Sequence, residues 1–305
     1  MTLFRQMLEL QLTLFSLILV GMVAKKKGII TPEGKKSISN LMVNIILPCN
    51  IIHSFMGDIN ASEQFVKKCF GAFLISFCIQ MVSIIIGKYV FIKIPAEKRN
   101  VFIYGLIVSN SSFVGIPVVE EVYGALGVLY TSFFQIPVRI TMWTAGLSLF
   151  THADRKEAYK KLVKHPCIIA VVIGVLLMIF PVQIPVFLEN TIEGMSKCMV
   201  PVSMLVIGCM LAESDVRHLF DRSVLYYCFI RLAASPALVY FVLKLLHIDQ
   251  MLCGVMVLLS AMPMANTTAI LADKYDRGAE AASQSIFVST LFSMFTLPVW
   301  CLILG

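Results

Sequence analysis

Residues 100–122 read NVFIYGLIVSNSSFVGIPVVEEV, and residues 251–272 read MLCGVMVLLSAMPMANTTAILA. Each stretch is about as long as the run of roughly 20 apolar helical residues that crosses a bilayer core. Each one also carries a cluster of polar side chains and a proline in its interior. The apolar length predicts a membrane-spanning helix, and the polar interior indicates where a binding site is to be sought.

The rest of the 305-residue chain repeats the apolar pattern of these two stretches. Hydrophobic residues make up 58% of it and charged residues 14%, whereas soluble chains have about 25% charged residues. We count ten apolar segments, numbered here as predicted helices 1 to 10, in which the two quoted stretches are helices 4 and 9. The sequence therefore predicts an all-α membrane protein with ten transmembrane helices that lies in the lipid bilayer.

The 25 Lys and Arg residues are unevenly distributed between the gaps that separate the predicted helices. Eighteen lie in the gaps after the odd-numbered helices, and five lie on the opposite side. Because basic residues concentrate on the cytoplasmic side of a membrane protein, we expect the connecting loop at residues 151–165 in the cytoplasm and both termini outside. This pattern also accounts for the net charge of +7 without nucleic acid as a partner. We expect a multi-pass protein of the cell membrane, that is, the plasma or inner membrane.

The two halves of the chain, residues 1–150 and 166–305, each contain five predicted helices. An odd number of helices makes the second half enter the membrane from the opposite side. Prolines also recur at corresponding helices of the two halves, as the pairs Pro48 and Pro201, Pro117 and Pro263, and Pro137 and Pro298. The pattern predicts two inverted five-helix repeats joined by the short cytoplasmic loop.

Four polar residues precede a glycine and a proline in helix 4, and polar residues lie on both sides of a proline in helix 9. Proline removes a backbone donor and opens a helix, and open backbone is tolerated in a bilayer only when it is buried in protein or lines a wet cavity. Paired breaks predict a transporter's binding site, and the half-helix N-termini there would suit an anion. The alternative is that these side chains only bond to neighbouring helices. The candidate binding residues are Ser109, Asn110, Ser111, Ser112, Pro117, Pro263, Asn266, Thr267 and Thr268.

Two arginines fall inside predicted helices. Arg139 lies near the middle of helix 5, and we assign it, with Gln135 one turn earlier, to the substrate site. No buried acid in the sequence is placed to neutralise Arg139, so an anionic substrate is its expected partner; alternatively it bonds to free carbonyls and only holds the fold. Arg231 in helix 8 is assigned to the pathway or to coupling, unless it pairs with Asp273 or extends toward the cytoplasmic surface.

Helix 2 carries three further polar candidates for the pathway or for coupling, Asn44, Asn50 and His53. Hydrogen bonds to neighbouring helices explain the asparagines about equally well, and a structural role explains the histidine. The nine cysteines show neither metal-ligand spacing nor a disulfide pattern. We find no motif of catalytic residues, and we expect no enzyme activity, no metal and no cofactor.

Four stretches together resemble the auxin efflux carrier family, which includes plant PIN-type carriers and many bacterial permeases. No single motif is diagnostic, but their order and spacing are specific, and the resemblance covers nearly the whole chain. The stretches are Asn110 through Gly115-Ile116-Pro117 with Tyr123-Gly124, Ala261-Met262-Pro263 with Ala272-Asp273-Lys274-Tyr275, Leu297-Pro298 through Ile303-Leu304-Gly305, and Arg231 with Pro236.

The resemblance implies broken helices 4 and 9 that cross at the substrate site. It also implies a scaffold of helices 1, 2, 6 and 7 that forms a homodimer, and an elevator-type transport domain of helices 3–5 and 8–10. Organic anions are the implied substrates: indole-acetate in plants, and dicarboxylates such as malate or malonate in bacterial members. This chain differs from the plant pattern in its short midpoint loop and in Thr268, which replaces a second proline, so auxin itself is a poor candidate.

Two other functions remain open from the sequence. One is a sodium-coupled symporter of the bile-acid carrier type, because backbone carbonyls at unwound helices can coordinate Na⁺. The other is a ligand-sensing membrane receptor, although the loop at residues 151–165 is short for a signalling output.

Overall fold

The computed structural model describes residues 2–56, 63–150, 163–180, 184–213, 221–275 and 277–305. In these residues the regular elements are helices, apart from one isolated β-bridge between Ser109 and Met264. The α-helices are α1 Thr2–Lys26, α2 Pro32–Leu41, α3 Leu47–Phe55, α4 Glu63–Val90, α5 Ala96–Ile107, α6 Ile116–Thr141, α7 Pro166–Ile179, α8 Val186–Lys197, α9 Met199–Glu213, α10 Arg222–Phe229, α11 Ser235–Leu245, α12 Gln250–Ser260, α13 Thr267–Lys274 and α14 Ala279–Leu304. The all-α prediction is confirmed.

Six helical runs in the described residues are long and apolar enough to cross a membrane. They are Pro32–Phe55, Phe65–Val90, Ser111–Leu149, Val186–Cys209, Arg222–Leu245 and Ala279–Leu304. Large apolar side chains on these runs point outward, as Ile85, Phe241 and Phe295 do. Such exposure suits hydrocarbon better than water, and it supports a multi-pass membrane protein. The ten-helix inverted repeat stays a prediction.

In the part of the chain that the structure describes, four π-helical turns occur, at Met42–Ile46, Ser111–Gly115, Met142–Gly146 and Ile230–Ala234. The turn at Ile230–Ala234 lies just before Pro236. A helix would bond the Leu232 carbonyl to the N–H of residue 236, which proline lacks. The indole nitrogen of Trp300 donates to that carbonyl instead, at 2.9 Å. A side chain from α14 therefore satisfies the carbonyl that the proline frees.

Gly124 marks the boundary between predicted helices 4 and 5. Its φ of 63° and ψ of −161° kink α6 between Tyr123 and the helical residues that follow. A residue with a side chain would be strained at this positive φ, whereas glycine adopts it readily. The sequence places helix 4 before this glycine and helix 5 after it, in agreement with the kink.

Contacts divide the chain into two compact units. Unit 1 contains Met1–Gly71, Ser112–Phe133 and Val163–Glu213; unit 2 contains Ala72–Ser111, Phe134–Leu162 and Ser214–Gly305. These units are not the two sequence halves, and the predicted assignment to repeats, scaffold and transport domain remains a prediction. Residues 151–162 of the predicted cytoplasmic loop lie outside the described residues.

Close backbone packing of two helices dominates unit 1. α1 and α9 meet at Gly21 and Gly208, where an added Cβ would lie 2.3 Å from the Leu205 carbonyl oxygen and 2.1 Å from the Ile18 carbonyl oxygen. Small residues allow membrane helices to approach this closely, which gives dispersion contact without a hydrophobic driving force. Any larger residue at either position would force these two helices apart.

Unit 2 has a core of aromatic residues around α5 and α10. Phe102 stacks on Tyr227 with ring centroids 5.2 Å apart, and Phe91 meets Phe102 edge-on at 5.6 Å. Tyr104 packs edge-on against Phe150 at 5.3 Å. Every residue of α5 from Val101 to Ile107 is buried. This burial fixes the end of α5, from which the candidate site begins.

Candidate functional site

Helical structure stops at the end of α5 and resumes with a π turn and α6. Residues 108–110 are not helical, Ser111–Gly115 forms the π turn, and α6 begins at Ile116. Pro117 is therefore the second residue of α6, on the C-terminal side of the gap. Proline is well accommodated in the first turn of a helix because its missing N–H would have no helical partner there. It begins the second helix rather than lying in the open segment.

A second gap separates α12 from α13. Residues 261–266 are not helical, and here Pro263 lies inside the open segment. α13 begins at Thr267. Both gaps fall in the stretches that the sequence predicts as broken.

The two open segments pair with each other within unit 2. The Asn110 N–H donates to the Pro263 carbonyl at 2.8 Å, and the Ala265 N–H donates to the Val108 carbonyl at 3.3 Å. Ser109 and Met264 form the antiparallel bridge between these two bonds. The Met264 N–H donates in turn to the Ser289 hydroxyl of α14 at 3.1 Å. Protein groups thus satisfy backbone that no water would reach in a bilayer.

Arg231 joins the two gaps through backbone carbonyls. Its Nε donates to the Met262 carbonyl at 2.8 Å, and one Nη donates to the Leu106 carbonyl at 2.9 Å. In a continuous helix the Leu106 carbonyl would accept from the Asn110 N–H, but that N–H is bonded to Pro263. The guanidinium replaces it, and the arginine is only 4% exposed. The side chain of Asp273, the alternative partner, lies outside the described residues.

Several side-chain donors near this ladder make no hydrogen bond with the described part of the chain. The Asn110 side-chain amide has none, and the Asn266 amide nitrogen and the Thr268 hydroxyl are buried without one. Asn110 and Asn266 lie at opposite ends of the ladder, about 10 Å apart for three residues of extended chain. Unsatisfied buried donors cost free energy unless a ligand or water accepts from them.

Arg139 and Gln135 approach the ladder from the C-terminal part of α6. The Gln135 amide nitrogen donates to the Ser111 hydroxyl at 3.1 Å. Arg139 is half-buried, contacts the Met142 sulfur at 3.7 Å and lies within electrostatic range of the Tyr104 hydroxyl. That hydroxyl is 3.5 Å from the Thr267 hydroxyl at the start of α13. Tyr104 and Ser289 also contact these segments, and the sequence did not single them out: Tyr104 lies in an apolar run, and Ser289 is one of several hydroxyl residues along α14.

The predicted site residues divide between the two units. Unit 2 holds Ser109, Asn110, Ser111, Gln135, Arg139, Arg231, Pro263, Asn266, Thr267 and Thr268, whereas unit 1 holds Asn44, Asn50, His53, Ser112 and Pro117. Asn44 is exposed, and its amide donates to the Asn40 carbonyl of its own helical face. Asn50 is buried and bonds to Glu120 and Ser196. Among the described residues, no group of three or more His, Cys, Asp or Glu side chains could hold a metal ion.

Comparison with known proteins gives relatives over the whole length. The chain is 25% identical to an uncharacterized transporter of Methanocaldococcus jannaschii, over 96% of this chain and 97% of the relative. It is 26% identical to an uncharacterized transporter of Methanothermobacter thermautotrophicus, over 97% and 98%. It is 22% identical to the uncharacterized transporter YfdV of Escherichia coli strain K12, over 95% of each chain.

A family model described as membrane transport protein matches residues 6–161 and 155–301, which is nearly the whole chain. The match agrees with the apolar helices and with the motifs that resemble the auxin efflux carriers. The resemblance is thereby confirmed, and the chain belongs to the membrane transport protein family of auxin efflux carriers.

Proposed function

We propose that the protein is a secondary transporter that moves a small organic anion, a carboxylate, across the membrane by alternating access of the elevator type. The observation that carries this proposal is the ladder of residues 108–110 and 263–265, with unpartnered Asn110 and Asn266 amides at its ends. Open backbone at membrane depth is a costly arrangement, and substrate binding is its best-known use in transporters.

The proposal treats α5 with α6 and α12 with α13 as the broken, crossing helices 4 and 9. They then occupy corresponding places in two inverted five-helix repeats, which form ten transmembrane helices with both termini outside. Helices 1, 2, 6 and 7 form a scaffold that dimerises, and the remaining helices carry the substrate. Cysteine labelling from each side of the membrane tests this topology: residues 151–165 should react only from the cytoplasm, and reaction from outside contradicts it.

Anionic substrates are proposed because the groups around the ladder are donors. α13 begins at Thr267, and a helix N-terminus offers free N–H groups and partial positive charge. Arg139 adds a full positive charge near Tyr104 and Thr267, and its planar fork suits a carboxylate. The amides of Asn110 and Asn266 add neutral donors.

Asn110→Ala tests the site with little risk to the fold. The ladder uses the backbone N–H of Asn110, which alanine retains, so the variant should fold while it loses carboxylate binding by about tenfold or more. The measurement is a screen of organic acids by thermal shift, followed by uptake of the best ligand into proteoliposomes.

Thr191→Ala is the control, because Thr191 is exposed, belongs to no candidate site, and its hydroxyl bonds only to the Phe187 carbonyl of its own helix. It should bind as the parent does. Parent-like binding by Asn110→Ala would remove helix 4 from the site and contradict the proposal.

A further inference from the structure

A second polar cluster lies in unit 1 and has no part in the proposed substrate site. The Asn50 amide nitrogen lies 3.2 Å from each carboxylate oxygen of Glu120 and 3.0 Å from the Ser196 hydroxyl oxygen. Asn50 and Ser196 are 1% and 3% exposed, and Glu120 is half-buried. Two helices, α6 and α8, thus bring three oxygen atoms around one amide that α3 supplies.

Glu120 has no basic partner in the described part of the chain. Its hydrogen bonds there are those with Asn50, although it lies in the apolar run Ser111–Leu149. The nearest lysine in sequence to Ser196 is Lys197, which is 2.7 Å from Glu193 and so already neutralises another acid. A half-buried carboxylate without a compensating charge is costly. The cluster therefore lacks one positive charge.

The cluster also contains an oxygen without a donor. The Oδ1 atom of Asn50 is buried and has no hydrogen-bond partner in the described residues. Nitrogen and oxygen of an amide occupy nearly the same space, and their assignment follows from their partners. A half-turn of this amide would place Oδ1 where the nitrogen lies, so that four oxygens from Glu120, Ser196 and Asn50 would meet at about 3 Å. In that orientation the amide no longer donates to the carboxylate, and a cation among the four oxygens would take the place of the lost donor.

We propose that Glu120, Asn50 and Ser196 bind a sodium ion. Carboxylate, carbonyl and hydroxyl oxygens are the ligands that hard cations prefer. The single carboxylate balances one positive charge, which favours a monovalent ion over a divalent one. The three residues of this site belong to unit 1, whereas the residues of the ladder belong to unit 2.

Thermal unfolding of the purified protein in detergent tests the site without any organic acid. The protein is first prepared in choline chloride, and sodium chloride then replaces choline at constant ionic strength. A ligand that binds only the folded state stabilises it, so about 100 mM sodium should raise the Tm of the parent by about 2–4 °C. An equal rise with potassium chloride would indicate a general salt effect and overturn the proposal.

Glu120→Gln keeps the shape of the side chain and removes its charge, and it should abolish the sodium response. Ser196→Ala should retain a response that needs about tenfold more sodium, because one ligand of several is lost. Glu121→Gln is the matched control, since Glu121 is the exposed neighbour on the same helix and should respond as the parent does.

A parent without a sodium response, or a Glu120→Gln variant that responds like the parent, would show the inference to be wrong. Because the assay contains no organic acid, its outcome does not depend on the proposed carboxylate site. Carboxylate binding by Asn110→Ala is measured separately, and it tests the proposed function without testing the sodium site.

Discussion

Two arginines lie in membrane-spanning helices of unit 2, and their surroundings differ. Arg231 sits inside a π turn, is 4% exposed and donates to the Leu106 and Met262 carbonyls. Arg139 lies three residues before another π turn, is half-buried and faces Tyr104 and the Met142 sulfur. Arg231 donates hydrogen bonds to backbone carbonyls at both gaps. Arg139 places its positive charge near Tyr104, at the end of α5. The same residue type therefore bonds to the backbone of the two gaps in one region, and in the other it is the residue to which we assign substrate binding as a proposal.

The difference follows from where free carbonyls arise. The open segments remove the helical partners of the Leu106 and Met262 carbonyls, and a fork-shaped donor can serve both at once. Arg231 lies within reach of both ends, so its charge is used in holding the ladder. Substitutions at the two arginines should consequently separate stability from binding.

Arg231→Leu should have the largest effect. It removes two charge-assisted hydrogen bonds, each worth about 1.5–3 kcal/mol, and leaves both carbonyls without donors, so the free energy of unfolding should fall by about 3–5 kcal/mol. Denaturant or thermal unfolding in detergent measures the loss. Arg222→Leu is the control, because Arg222 is exposed at the start of α10 and should change stability by about 0.5 kcal/mol or less. Equal stability of the two variants would remove the distinction between the arginines.

Arg139→Gln should have a smaller effect that appears in binding rather than in folding. Losing one charge-assisted bond to a carboxylate should weaken affinity by about 10- to 100-fold, while the Tm stays close to that of the parent. Arg139→Lys keeps the positive charge but loses the planar guanidinium, so its affinity for the carboxylate should lie between those of the parent and of Arg139→Gln. Isothermal titration with the best organic acid measures all three. If Arg139→Gln binds carboxylates as tightly as the parent, Arg139 is structural, as Arg231 is.

Asp221→Asn should have the smallest effect, because its ion pair with Lys98 lies outside the apolar run and both side chains are 36% exposed. Hydrogen bonds from Lys98 and Ser223 lower the pKa of Asp221 to about 2. The pair therefore stabilises the fold above the pKa of an unfolded aspartate, about 3.9, and loses that contribution as the pH falls through about 2.

Solvent screening keeps the contribution of this exposed pair near 1 kcal/mol or below. At pH 7 the variant should lose that amount, measured as a small fall in Tm. Lys98→Gln should cost about the same, and the double variant no more than either. A loss as large as that of Arg231→Leu would mean that water does not screen this end of the helix.

The all-α membrane class could be predicted from sequence, and the two gaps and the bend at Gly124 lie in stretches that the sequence marks as unusual. They depend on local features: apolar length, polar residues beside a proline, and a glycine between two apolar runs. The exact position of the first gap, at residues 108–110, could not be predicted from the sequence. Pro117 is the feature of helix 4 that most strongly predicts a break. In the structure it lies in the first turn of α6, because a missing N–H costs least there.

Long-range partners could not be predicted. The Leu106 and Met262 carbonyls that Arg231 binds become free only once the two segments pair, and no sequence pattern marks a carbonyl as free. Asn50 lies 70 residues from Glu120 and 146 from Ser196, so sequence indicates three polar positions but not one cluster. The pathway role predicted for Asn50 stays a prediction, and the structure adds that its side chain bonds to Glu120 and Ser196.

The contact between Gly21 and Gly208 has a practical consequence for spectroscopy. Because backbone lies against backbone, α1 and α9 cannot slide past each other without collision. A pair of spin labels on these two helices should therefore report one constant distance whatever state the protein occupies. That distance provides an internal length standard, against which any change measured elsewhere in the molecule can be calibrated.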